Sequence, residues 1–130
     1  MSELRVLIVD DEEDMRALVR ATIEIANDGL RVAAEASDGE TAVDMVRSER
    51  PEVVVLDHRM PGVSGLDTAR RILSEHPDQR IVLFSSYLDR DVVNTARHLG
   101  VRVCLSKDEI RHLPEAIWGT ELPPARGGAA

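Results

Sequence analysis

Acidic, hydroxyl and amino side chains gather at the ends of short apolar runs along this chain of 130 residues. Leu4–Val9 is followed by Asp10, Asp11 and Glu12, and Val53–Leu56 by Asp57. Ile81–Phe84 leads into Ser85 and Ser86, and Val101–Leu105 into Ser106 and Lys107. If the first two of these runs lie side by side, three aspartates meet on one rim, with a hydroxyl and an ammonium facing them. Carboxylates about 5 Å apart repel by about 3 kcal/mol per pair at an effective dielectric of about 20. Relief must come from raised pKa values or from a bound cation. Hard oxygen donors with open positions suit Mg2+, which keeps several of its waters. One acidic residue after a strand is ordinary, because loops are polar and helix starts favour negative charge. Convergence from separate strand ends is not ordinary, and points to a site.

The elements that must hold these residues alternate. The short, nearly all-apolar runs suit strands buried on both faces of a parallel sheet. Arg31–Ala36 and Val101–Leu105 are less uniform and suit positions nearer the edges. Between them, Met15, Leu18, Val19, Thr22, Ile25 and Ala26 recur at helical spacing, with Gly29 placed to stop the helix. Leu66, Ala69, Ile72 and Leu73 form a second stripe ended by Pro77, and Val92, Val93, Ala96 and Leu99 a third closed by Gly100. Thr41–Arg47 and Glu109–Trp118 complete five helices. Strand then helix, five times over with short connections, predicts a doubly wound α/β fold with a five-stranded parallel sheet and right-handed crossovers. Ligands in such folds sit outside the carboxyl ends of the strands. Met60, Pro61, Gly62 and Gly65 then read as turn chemistry that positions Asp57.

Composition narrows the possibilities. The length fits one domain, expected over residues 1–119, with 120–130 (ending LPPARGGAA) as a flexible tail or linker stub. Lone Cys104 has no disulfide partner in the chain, and the four histidines show no zinc spacing, so a reducing, cytoplasmic setting is expected. No apolar run is long enough to span a membrane, and the start does not resemble a signal peptide. A formal net charge of −8 argues against direct nucleic-acid binding, which needs a basic patch.

Taken in order, VLIVDDE, VVVLDHRMPGVSGLD, IVLFSS and LSK resemble the signature segments of response-regulator receiver domains, over about residues 4 to 118. The resemblance implies a flavodoxin-like strand order 2-1-3-4-5 and a phosphoryl-accepting signalling domain of a two-component system. By that likeness Asp57 is the phosphoacceptor and a Mg2+ ligand, Asp11 ligates Mg2+ directly and Asp10 helps to hold it. The backbone carbonyl of Arg59 supplies another ligand. Ser85 and Lys107 contact the phosphoryl group. An in-line displacement at phosphorus needs such parts: a nucleophile, neutralising charge and donors for the equatorial oxygens. The resemblance also implies a sensor histidine kinase or phosphotransfer protein as donor. Its output would be a separate protein, a detached output domain or a homodimer. No enzymatic activity beyond its own phosphoryl transfer and dephosphorylation is expected.

Two positions depart from the family pattern. Cys104 stands where receivers usually carry Tyr or Phe, so the usual aromatic relay is in question. Tyr87, beside Ser85, is a candidate to replace that ring or to gate water, and Ser85, Tyr87 and Cys104 are the switch candidates. Asp108 follows Lys107 where many receivers have Pro, which leaves open a cis bond there. Val93, Arg97, Arg111 and Trp118 are candidates for an output surface, and His58 reads as a neighbour of Asp57 that faces solvent or packs. Among alternatives, a haloacid-dehalogenase-type phosphatase wants an Asp where Arg59 stands, and nucleotide-binding glycine motifs are missing. A receiver-like adaptor that binds partners without phosphorylation is the other reading.

Overall fold

The computed structural model describes residues 3–121. Its strands are β1 (Leu4–Val9), β2 (Leu30–Ala36), β3 (Val53–Leu56), β4 (Arg80–Ser85) and β5 (Val103–Ser106). The helices are α1 (Glu13–Ala26), α2 (Gly39–Glu49), α3 (Gly65–Glu75), α4 (Arg90–Leu99) and α5 (Leu113–Gly119). All pairings are parallel, in the order β2-β1-β3-β4-β5, the flavodoxin-like order implied by the sequence segments. Chain order reverses at β1, so β1 and β3 are neighbours and their carboxyl ends share a crevice.

Side-chain alternation divides the core into two layers. Leu7, Val9, Val54, Leu56, Ile81 and Leu83 face Ala42, Val46, Ala69, Ile72 and Ala96 of α2, α3 and α4. Val6, Ile8, Val53, Val55, Val82 and Phe84 face Val19, Ile23, Leu113 and Ile117 of α1 and α5. Strands covered on both faces are apolar nearly throughout, which is why β3 is an unbroken run and β1 and β4 are broken only at Arg5 and at the ends Arg80 and Ser85. The largest fully buried side chain is Phe84; the rest of the core is aliphatic.

Short polar side chains start three of the five helices. Asp38 accepts from the Thr41 amide at 2.7 Å, Ser64 from Asp67 at 3.2 Å and Asp89 from Val92 at 2.9 Å, each satisfying a first-turn N–H. Gly100, at φ 103°, closes α4 as the sequence predicts. At the end of α1 the left-handed residue is Asn27, at φ 47°, not Gly29. Gly29 turns the chain two residues later, where an added Cβ would sit 3.3 Å from the Trp118 ring.

The last helix also departs from the sequence expectation. A 3-10 segment, Lys107–His112, precedes α5, so the stretch expected as one helix from Glu109 is broken. Pro114 explains the break, since it has no N–H to continue α-helical bonding backwards. The Lys107–Asp108 bond is trans, since no cis peptide occurs among the described residues. Thr120, which the sequence assigns to a tail, is buried against the body; the remainder of that tail, 122–130, lies outside the described residues. No helix among the described residues is long and apolar enough to cross a membrane.

Candidate functional site

Strand register sets the site. Val9 pairs with Leu56, and Leu56 with Leu83, so Asp10 and Asp57 emerge at one level from adjacent strands. Ser85 pairs with Ser106 farther along the same rim, and Lys107 follows at once. The backbone stays engaged to the strand ends, with Asp10 N donating to Ala36 O at 3.1 Å and Asp57 N to Val9 O at 3.0 Å.

Carboxylate oxygens of Asp10, Asp11 and Asp57 lie within 4.8 Å of one another, the one such cluster among the described residues. Asp10 and Asp57 are buried, whereas Asp11 is exposed at the mouth. Lys107 enters between the two buried groups, its Nζ 2.8 Å from Asp10 Oδ2 and 3.3 Å from Asp57 Oδ2. The remaining oxygens take backbone donors: His58 N to Asp57 Oδ1 at 2.8 Å and Glu12 N to Asp10 Oδ1 at 2.9 Å.

One ammonium facing three carboxylates leaves a formal charge of −2. Burial pushes the Asp57 carboxyl above the ordinary aspartate range; the Lys107 charge opposes this and the Asp10 charge adds to it. Burial also acts to lower the Lys107 pKa, but its bond to Asp10 and the charges of Asp57 and Asp10 outweigh that, leaving it raised. Lys107 therefore stays charged while the carboxylates remain under-neutralised. A small divalent cation matches both the missing charge and the all-oxygen donor set.

The loops complete the mouth. The Ser85 hydroxyl, fully buried, accepts from the Tyr87 amide at 3.1 Å, tying the end of β4 to the loop beyond it. Tyr87 is half exposed, and the Arg59 guanidinium stacks 3.8 Å from its ring centroid, so two loops meet across the rim. After Asp57 the chain packs tightly onto α3. Gly65 N donates to His58 O at 2.7 Å, and a Cβ on Gly65 would overlap the Asp57 carbonyl and the His58 Cα. Space, not backbone angle, requires glycine there. His58 Nδ1 accepts from Leu66 N at 3.4 Å, the structural role expected for it.

The structure thus brings together Asp10, Asp11, Asp57 and Lys107, with Ser85, Arg59 and Tyr87 around them. Cys104 is away from the rim, half buried against the α4 side of the core, with its thiol pKa pushed up by burial. The candidate output residues lie on and beside the last two helices, α4 and α5. Val93 and Arg97 line a groove of about 320 Å³ with Leu88, Val101 and Cys104, whereas Trp118 packs with α1 and α5 on the opposite sheet face. Sequence reasoning missed Arg16, whose Nη1 donates to the Asp10 carbonyl at 2.7 Å. A basic residue one turn into the following helix is the faint signal for it.

The chain matches the response regulator receiver domain family over residues 6–117. It is 40% identical over 94 residues to protein-glutamate methylesterase/protein-glutamine glutaminase 3 of Hahella chejuensis, covering 72% of this chain and 26% of that protein. It is also 40% identical over 80 residues to response regulator GacA of Pseudomonas viridiflava, covering 61% of this chain and 36% of GacA. The chain therefore spans about a quarter to a third of those two relatives. A two-component response regulator of the LuxR family from Aurantimonas superposes with a TM-score of 0.87 at 28% identity, over 95% of this chain and 90% of that one. A complex of CheX, CheY, BeF3 and Mg2+ from Borrelia burgdorferi shares the fold, with a TM-score of 0.81 at 21% identity, over 93% of this chain and 91% of that one.

Proposed function

Because the chain belongs to the response-regulator receiver family, the phosphoryl-accepting signalling domains of two-component systems, we propose that Asp57 is its phosphoacceptor and that Asp10, Asp11 and the Arg59 backbone carbonyl hold Mg2+ beside it. The carrying observation is the under-neutralised rim: three carboxylates within 4.8 Å, and one ammonium shared by the two buried ones.

A carboxylate oxygen of Asp57 forms the new bond to phosphorus as the donor's phosphorus–nitrogen bond breaks, giving an acyl phosphate. His58 N and Lys107 fix the nucleophile's orientation through its two oxygens. Lys107 then pairs with an equatorial phosphoryl oxygen, and the Ser85 hydroxyl, freed from Tyr87 N, donates to another. Mg2+, when bound, neutralises charge on the carboxylates and the phosphoryl oxygens. Water hydrolyses the acyl phosphate, so the mark is temporary. Beyond its own phosphoryl transfer and dephosphorylation the domain catalyses nothing.

A sensor histidine kinase or phosphotransfer protein is the donor. Helix α1 begins at the acidic rim and exposes Leu18 and Ile25, 49% and 82% accessible, with Ala21 between them on one face. Such a stripe suits a donor's helix laid beside the site. The phosphorylated surface is read by an output domain, a separate protein or a second copy.

Fluoroberyllate with Mg2+ tests the core of this reading. It should raise the Tm of the wild-type protein and leave Asp57→Ala unmoved; identical behaviour of the two overturns it. A second measurement addresses the mouth. Tyr87 and Arg59 cover the rim, so Tyr87→Ala should shorten the lifetime of the phosphorylated form several-fold by admitting water. An unchanged rate of phosphate release excludes a gating role for Tyr87.

A further inference from the structure

Asp11 is the one rim carboxylate without a hydrogen bond or ion pair of its own among the described residues, and it is exposed. Its aim is therefore set by the two peptide planes on either side of it. The plane joining Asp11 to Glu12 is held from behind, since Glu12 N donates to Asp10 Oδ1 at 2.9 Å. The plane joining Asp10 to Asp11 carries the Asp10 carbonyl, which accepts from Arg16 Nη1 at 2.7 Å. Arg16 in turn is braced. Its Nε lies 3.4 Å from Glu35 Oε1, its side chain is 17% accessible, and Arg20 Nε holds the other oxygen of Glu35 at 2.7 Å. Glu35 stands on β2, next to the Ala36 whose carbonyl takes the Asp10 amide.

We infer that Arg16, braced by Glu35, is a positioning residue: it fixes the Asp10–Asp11 peptide and so presents Asp11 to a divalent cation. The inference rests on the rim being the cation site. It touches no ligand itself and acts only through that carbonyl. Groups that orient ligands in this way typically set metal affinity by tenfold or more.

Electrostatics and positioning predict opposite signs. Arg16 is a positive charge close to the rim, so a mere bystander would tighten cation binding when neutralised. A positioning residue would weaken it. Free Mn2+ counted by electron paramagnetic resonance, as a hard cation accepted by the same oxygen ligands, gives the affinity directly. Arg16→Gln should weaken Mn2+ binding about tenfold. Arg16→Lys, which keeps one donor for the carbonyl, should recover part of the loss. Glu35→Gln, which loosens the brace, should fall between. Trp118 fluorescence during metal-free thermal unfolding reports whether each variant is folded, and Arg16→Lys, which keeps the charge, carries the test if Arg16→Gln is not. Equal or tighter binding in the folded variants overturns the inference. Should wild type itself bind no Mn2+, or Asp11→Asn bind as wild type does, the cation-site reading fails instead.

Discussion

Lys107 does two things that conflict. Its ammonium compensates Asp10 and Asp57, at 2.8 and 3.3 Å, and in doing so it occupies the field in which a cation would act. Removing it leaves two buried carboxylates facing each other. Lys107→Met should therefore destabilise the metal-free protein by about 3 kcal/mol, and Mg2+ should restore much of that. Thermal melts in EDTA and in Mg2+ test this; a variant with the same Mg2+ dependence as wild type refutes it. Asp57 shows the other side of the balance. Its pKa is raised in the folded state, above all by burial. The folded chain thus holds a proton there that the unfolded chain has lost, so stability falls as pH climbs above the ordinary aspartate range. Asp57→Asn should raise Tm in EDTA at neutral pH and flatten that part of the pH profile. Such a gain marks a residue kept for chemistry at the expense of stability.

Elements decide where those side chains can stand. The N-terminus of α3 lies so close to the end of β3 that Gly65 touches the Asp57 backbone, and a single methyl there has nowhere to go. Gly65→Ala should cost about 1–3 kcal/mol and weaken fluoroberyllate binding, because either the helix or the Asp57 loop must shift. A normal affinity with lowered Tm would place the whole shift in the helix. Much of this scale was legible in the sequence, since β1 and β3 begin and end where their apolar runs do. The missed details are contacts between distant segments. Strand β5 starts at Val103 and not at Val101 because the Val101 amide turns back to Ala96 O of α4 at 3.0 Å, and bonding to β4 begins only with Arg102 N to Ile81 O at 3.2 Å. Arg16 reaching Asp10, or Arg59 stacking on Tyr87, depends on helix phase and loop path, which periodicity does not encode.

Seen as a whole, the molecule keeps its chemistry and one of its main anchors at opposite ends of the sheet. Thr120, buried just past α5, donates to Ile117 O at 2.6 Å and accepts from Arg80 Nε at 2.9 Å, while its carbonyl takes Arg102 Nη1 at 2.9 Å. Arg80 opens β4 and Ser85 closes it, so this clamp is one strand length, roughly 15–20 Å, from the acidic rim. Arg80 Nη2 is buried with no partner among the described residues, so the Thr120 hydroxyl matters to this arginine. Thr120→Val removes it at nearly constant volume and should cost about 2 kcal/mol. Because the two ends share no side-chain partners among the described residues, affinity for Mg2+ with fluoroberyllate should stay at the wild-type value. The double variant with Gly65→Ala should lose the sum of the single losses to within about 0.5 kcal/mol. Denaturant melts of the four proteins give that sum. A clear departure from additivity would mean that the clamp on α5 and the loop after Asp57 respond to each other, which would make the far end of the sheet part of the switch.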